Sequence, residues 1–254
     1  MSLLLTLLGA AAVGVTLGLL GAGGSILAVP VLVFLAGQPV QVAIPTALVV
    51  VLLSSLGALL PRLRSGVVRW PVAAVFAVGG VPAALMGARI GAALPERVLM
   101  PVFALLMAVV AVRMLRDARP LGTACRTSGA ARPERRRCLP KALGAGAGTG
   151  ALTGVFGVGG GFAVVPALTL LLGLTAAEAA ATSLVVIAVN SAAGLAGHLG
   201  AHLSLPLIVS FAATAIAAST LTGRLARRVP PERVRRTFAW TVLALAPCMA
   251  LTAV

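Results

Sequence analysis

Two glycine clusters, Gly21-Ala22-Gly23-Gly24 before Ser25 and Gly157-Val158-Gly159-Gly160-Gly161, are the groups best suited to chemistry in this chain. A dinucleotide or phosphate loop is excluded. Ile26 and Phe162 stand where a third glycine of G-x-G-x-x-G belongs, and no Lys-Ser/Thr pair follows. In an apolar setting the clusters predict breaks between helices. The half-helices beginning at Ser25 and Phe162 would then point free N–H groups and a positive dipole end into a cavity, forming an anion site without a charged side chain. Behind the clusters come hydroxyl and amide groups in otherwise apolar runs: Thr46, Ser54 and Ser55, then Thr182, Ser183, Asn190 and Ser191. Thr46 to Ser54 and Thr182 to Asn190 are each eight residues apart, near one helical face. Asn190 carries the most hydrogen-bonding capacity, with two donors and an acceptor.

His198 and His202 have the i, i+4 spacing of a metal pair, but no Glu, Asp or Cys joins them nearby, so no metal site is expected. His198 occupies the position of Arg62 in a repeat described below, and both are read as gating residues at span ends. Glu178 follows Thr175 at capping-box spacing, which accounts for it as a helix start. Cys125, Cys138 and Cys248 have neither CxxC spacing nor neighbouring histidines and are read as unpaired thiols. The expected set that contacts a ligand is therefore Gly23, Gly24, Ser25, Thr46, Ser54, Ser55, Gly159, Gly160, Gly161, Thr182, Ser183, Asn190 and Ser191, with no cofactor.

The elements that position these groups follow from composition. Of 254 residues, 60% are hydrophobic and 10% charged, against roughly 25% charged in soluble domains. Mean hydropathy is +1.10. Met1 to Pro61 contains no Asp, Glu, Lys or Arg; as helix it would run ~90 Å, about three hydrocarbon cores. Solid apolar runs exclude a β-barrel, which alternates. The N-terminal segment lacks a positive n-region and recurs later, so it is not read as a removable signal. The prediction is an all-α polytopic membrane protein. Its formal charge of +15 sits in loops, where it orients spans rather than binding nucleic acid.

An ungapped repeat organises the chain at an offset of 136, as from Gly18 to Gly154. Pro30 falls on Pro166, Gly37 on Gly173, Thr46 on Thr182, Ser55 on Ser191 and Pro95-Glu96-Arg97-Val98 on Pro231-Glu232-Arg233-Val234. The reading is a first transmembrane repeat at 1–118, a basic linker at 119–139 and a second repeat at 140–254. Each repeat has a glycine-broken leading segment, expected as two short helices, and three transmembrane helices. These are placed at 41–61, 70–90 and 97–114, then 177–197, 203–223 and 234–252, with Pro39 and Pro95 in first turns. If the leading segments cross twice or dip and return, the repeats are inverted. Eighteen basic residues then share one face with the linker, and only Arg89 and Arg97 lie opposite. Single crossings give a poorer asymmetry, so inverted repeats with a cytoplasmic linker are expected. Broken helices in inverted repeats are the signature of a secondary transporter.

The motif Gly-Leu-Leu-Gly-Ala-Gly-Gly-Ser (18–25) with Pro30, its counterpart Gly-Val-Phe-Gly-Val-Gly-Gly-Gly (154–161) with Pro166, and Ala180-Ala181-Thr182-Ser183-Leu184 resemble the sulfite exporter (TauE/SafE) family. So do 87–98 and 233–238. The first half departs from the pattern with Pro45-Thr46-Ala47-Leu48. The resemblance implies a carrier of sulfite, sulfonate or sulfoacetate in the bacterial inner membrane, partnered by the lipid bilayer; the sequence leaves monomer and homodimer both open. The alternatives are a membrane-embedded metal-dependent hydrolase using His198 and His202, or a metal-ion carrier. The spans lack the carboxylates and full ligand sets that either would need.

Overall fold

The computed structural model describes residues 3–20, 25–63, 66–115, 135–198, 205–225 and 231–251. These form ten helices, with no strand among the described residues. The first half supplies α1 (Leu3–Leu20), α2 (Ala28–Phe34), α3 (Val40–Leu63), α4 (Trp70–Ala93) and α5 (Glu96–Leu115). The second supplies α6 (Arg135–Phe156), α7 (Gly161–Leu172), α8 (Ala176–Gly197), α9 (Leu205–Leu225) and α10 (Pro231–Leu251). Val40–Leu60, Trp70–Ala93 and Ala177–Gly197 are long and apolar enough to cross a membrane by length and composition. The chain is an all-α membrane protein.

Each leading segment is broken into two helical limbs of unequal length: α1 with 18 residues before α2 with 7, and α6, whose 22 residues begin in the basic linker at Arg135, before α7 with 12. The apolar stretches Leu5–Gly18 and Ser25–Phe34 are both short. Small residues permit the long limbs, because α1 and α6 run against neighbours at backbone distance. A Cβ on Gly146, Gly150 or Gly154 of α6 would strike the backbone of α4 at Phe76, Gly80 or Ala84. One on Gly14 of α1 would strike Ala215 of α9. These glycines are packing residues, as small-xxx-small seams are in membranes. Pro39 and Pro95 sit just ahead of α3 and α5, and their carbonyls accept the first helical N–H groups (Val42 N to Pro39 O 2.9 Å; Val98 N to Pro95 O 2.9 Å).

Elements related by the 136 offset repeat their neighbours. α4 packs on α6 as α9 packs on α1, α4 on α8 as α9 on α3, while α3 pairs with its own mate α8 and α5 with α10. Gly37 and Gly173 both take left-handed backbone, at φ 64° and 65°, and each closes its short helix with the same bond (Gln38 N to Leu32 O 3.1 Å; Leu174 N to Leu168 O 3.3 Å). Directions follow from side-chain neighbours. Arg69, Gly80 and Ala88 of the α4 region meet Thr182, Asn190 and Gly197 of α8, so α4 and α8 are parallel. Leu48 meets Gly194, and Leu59 clusters with Ala181 and Leu184, so α3 and α8 are antiparallel.

Candidate functional site

The second glycine cluster is a tight turn because its backbone is left-handed at three places: Gly157 (φ 68°), Gly159 (φ 68°) and Gly160 (φ 62°). Side chains rarely adopt this region, and the surroundings leave them no room. A Cβ on Gly157 would lie 2.9 Å from Cα of Ile44. On Gly159 it would lie 2.5 Å from Val51 Cγ1 and 3.2 Å from Ile187 Cγ2. On Gly160 it would lie 2.7 Å from the Thr149 carbonyl. The turn is thus wedged between α3, α6 and α8. Gly160 caps α7, which begins at Gly161, and the first N–H groups of a helix have no partner within it. Ser191 Oγ stands 3.4 Å from the Cβ position of Gly159. It is fully buried with no hydrogen-bond partner.

Asn190, one residue earlier, turns to α4. A Cβ on Gly80 would meet its carboxamide, with Nδ2 at 2.8 Å, so the glycine makes the space that the amide fills. By the repeat, Gly80 and Asn190 correspond to Ile216 and Ser54: one half places the larger group on α8, the other on α9. Both polar atoms of Asn190 are unpartnered, as are Ser54 Oγ and Thr46 Oγ1, although all three residues are at most 1% exposed. An unmet buried polar atom costs about 1–3 kcal/mol, and groups left in that state mark places where a ligand, ion or water completes the bonding. Interpolating between the α3–α8 contacts puts Ser54 level with Asn190 to within ~3 Å along the helices, near the centre of the pair.

The remaining expected residues divide. Ser55 and Ser183 donate to carbonyls of their own helices, Leu52 (2.9 Å) and Ala180 (3.0 Å). Thr182 Oγ1 accepts the Arg69 backbone N–H at 3.1 Å. Thr46 and Thr182 sit ~12 Å from Ser54 and Asn190, toward opposite ends of the antiparallel pair. Ser25 is buried in the turn that opens α2. Gly23 and Gly24 lie outside the described residues, as do His202 and most of the linker. Arg62 ends α3, half-buried. His198 is the C-cap of α8, its Nδ1 2.9 Å from the Gly194 carbonyl. No three of the described His, Cys, Asp or Glu residues come together as metal ligands.

Two residues escaped the sequence reading, Gly80 and Arg69. Glu178 completes the expected capping box, its Oε2 accepting from Thr175 N (3.1 Å) and Oγ1 (3.0 Å). It also binds the Arg69 guanidinium twice, at 2.8 and 2.6 Å. The available signal was charge position: Arg69 and Glu178 are the charges at the starts of two apolar spans. The described residues also line a small, half-open apolar pocket of about 10 Å³ beside Phe103 and Phe156, whose ring centroids are 5.3 Å apart. It has room for about one water and no polar lining to hold it.

The family description "Sulfite exporter TauE/SafE" matches residues 6–249 of this chain. A "Probable membrane transporter protein" of Xylella fastidiosa is 36% identical over 188 residues, 73% of this chain and 70% of that protein. The "Probable membrane transporter protein y4hK" of Sinorhizobium fredii is 34% identical over 71% of this chain and 70% of its own. The "Probable membrane transporter protein YunE" of Bacillus subtilis is 30% identical over 71% and 72%. No solved structure matches.

Proposed function

Because the chain belongs to the sulfite exporter TauE/SafE family of membrane transporters, we propose that it carries small sulfur-containing anions, of the sulfite, sulfonate or sulfoacetate class, across the bacterial inner membrane. The observation that carries this reading is the N-terminus of α7, with the buried, unpartnered hydroxyl of Ser191 beside its glycine turn. Peptide N–H groups, a positive dipole end, Ser191 and the amide of Asn190 together offer donors to oxyanion oxygens without a fixed cation. A neutral site of this kind binds an anion and still releases it, as a carrier must. Ser54, level with Asn190, and Thr46 extend the polar surface along α3.

The repeats are inverted in this reading, with the linker and the 62–69 loop cytoplasmic. The antiparallel course of the mates α3 and α8 supports inversion, as does the placing of eighteen basic residues on one face. No carboxylate sits deep within a described span, so a proton relay has no evident member. An anion leaving a negative interior needs none, because the potential favours exit by ~2.3 kcal/mol per charge per 100 mV, or ~4.6 for a dianion. Ligand-induced thermal shift of the purified protein against sulfite, thiosulfate, sulfoacetate and taurine tests the substrate class. A shift with one of these anions that Ser191→Ala removes supports the site. Equal stability with all four and with chloride would defeat it.

A further inference from the structure

The polar groups at the two ends of the α3–α8 pair are chemically matched but differently bonded. At one end, Thr182 accepts the backbone N–H of Arg69 at 3.1 Å, and the Arg69 side chain grips Glu178 at 2.6 Å. With the second guanidinium bond to Glu178 at 2.8 Å, three bonds tie the start of α4 in the first half to the start of α8 in the second. The partners are unequally exposed, 55% for Arg69 and 18% for Glu178, so the clasp lies at the rim rather than in the core. At the other end the repeat places Thr46 where Thr182 stands, and residue 205, the start of α9, where Arg69 stands. There the hydroxyl of Thr46 is buried with no partner. The repeat also puts Val42 for Glu178 and Leu205 for Arg69, so no ion pair can form there. Among the described residues, α4 packs on α8 more extensively than α9 packs on α3.

We infer that Arg69, Glu178 and Thr182 form a gate that closes the cytoplasmic face, and that Thr46 is the same gate in its released state on the opposite face. The inference rests on the inverted-repeat reading above. In it the two halves hold different conformations of one sequence pattern, and transport exchanges them. When the Thr182 bond opens, Thr46 closes on the backbone at the start of α9, and the central groups Ser54, Asn190 and Ser191 face the cytoplasm. The ion pair, present on one side only, biases the resting protein toward the cytoplasm-closed state. It does so with groups that touch no substrate.

The two threonines make the test specific. A single reporter, Ser54→Cys, is placed in full-length protein whose native cysteines are replaced by serine, and its labelling by an impermeant maleimide is followed from each face of oriented vesicles. Glu178→Gln keeps the capping box, which accepts glutamine, but removes the ion pair. It should raise cytoplasmic-side labelling roughly five- to tenfold, the shift that loss of one charge-assisted contact gives a two-state equilibrium. Thr182→Val should move labelling in the same direction, and Thr46→Val in the opposite one. Labelling unchanged in Glu178→Gln, or moved the same way by both threonine variants, would overturn the gate. The readout needs no substrate. A failed anion panel with opposite threonine effects would thus sink the substrate reading and leave the gate standing.

Discussion

Replacing Gly160 by alanine adds one methyl group where two independent penalties meet. The residue holds φ at 62°, which costs a side-chain-bearing residue roughly 1–2 kcal/mol. The new Cβ would also lie 2.5 Å from Thr153 Oγ1 and 2.7 Å from the Thr149 carbonyl oxygen. The hydroxyl is held by its own bond to Thr149 O at 2.8 Å, and the carbonyl is helix backbone, so neither yields without moving α6. Overpacking of this kind costs about 1–3 kcal/mol, giving ~2–5 kcal/mol together. Gly148→Ala is the control, in the neighbouring helix α6 with nothing within 4 Å of its Cβ. It should stabilise by ~0.5–1 kcal/mol through helix propensity. Thermal unfolding of the detergent-purified variants measures both, and anion-induced stabilisation measures the site. Gly160→Ala should unfold earlier than the parent and lose its response to the ligand, while Gly148→Ala keeps both. A Gly160→Ala protein as stable as Gly148→Ala would refute the strained-turn reasoning.

Asn190→Leu keeps most of the side-chain volume and removes two unpartnered polar atoms, so thermal stability should hold or rise while anion flux in vesicles falls at least tenfold; a fall in stability with normal flux would make Asn190 a packing residue. Gly154→Leu drives a side chain into the Ala84 carbonyl and Ala88 N, the latter 2.6 Å from its Cβ position, and should abolish folded protein on size-exclusion chromatography, whereas Gly148→Leu should not. Cys125 and Cys138 should be reached by an impermeant thiol reagent only after the cytoplasmic side of the membrane is opened, and strong labelling of intact cells would reverse the topology.

The sequence carried the fold at the level of elements because membrane burial leaves few options. Uninterrupted apolar runs must be helices, and the repeat fixed which helices correspond. The expected spans at 41–61, 70–90 and 177–197 lie within α3, α4 and α8. What it missed was length partition and partner choice. Gly146, Gly150 and Gly154 stand four residues apart, the spacing of a packing seam, but nothing local says that α4 is the neighbour. The candidate site was legible as a list of polar residues in apolar runs; of these, Thr46, Ser54, Asn190 and Ser191 are buried without partners. Ser55 and Ser183 have the same local signal but turn back on their own helices, a rotamer choice that spacing does not encode. Arg69 was tallied as one loop charge among eighteen. Its pairing with Glu178 depends on α4 and α8 running side by side in the same direction, which is a property of the assembled fold.

The most direct measurement is substrate flux in proteoliposomes carrying the full-length protein, with the membrane potential set by potassium and valinomycin and no pH gradient. Sulfite, thiosulfate and sulfoacetate are followed beside a neutral solute of similar size. At least one sulfur anion should move toward the positive side at a rate that rises with the imposed potential, the neutral solute should not, and Ser191→Ala should reduce that flux. Flux indifferent to potential and driven only by a proton or sodium gradient, or no anion flux from protein that unfolds cooperatively, would contradict uncoupled anion carriage through the α7 helix end.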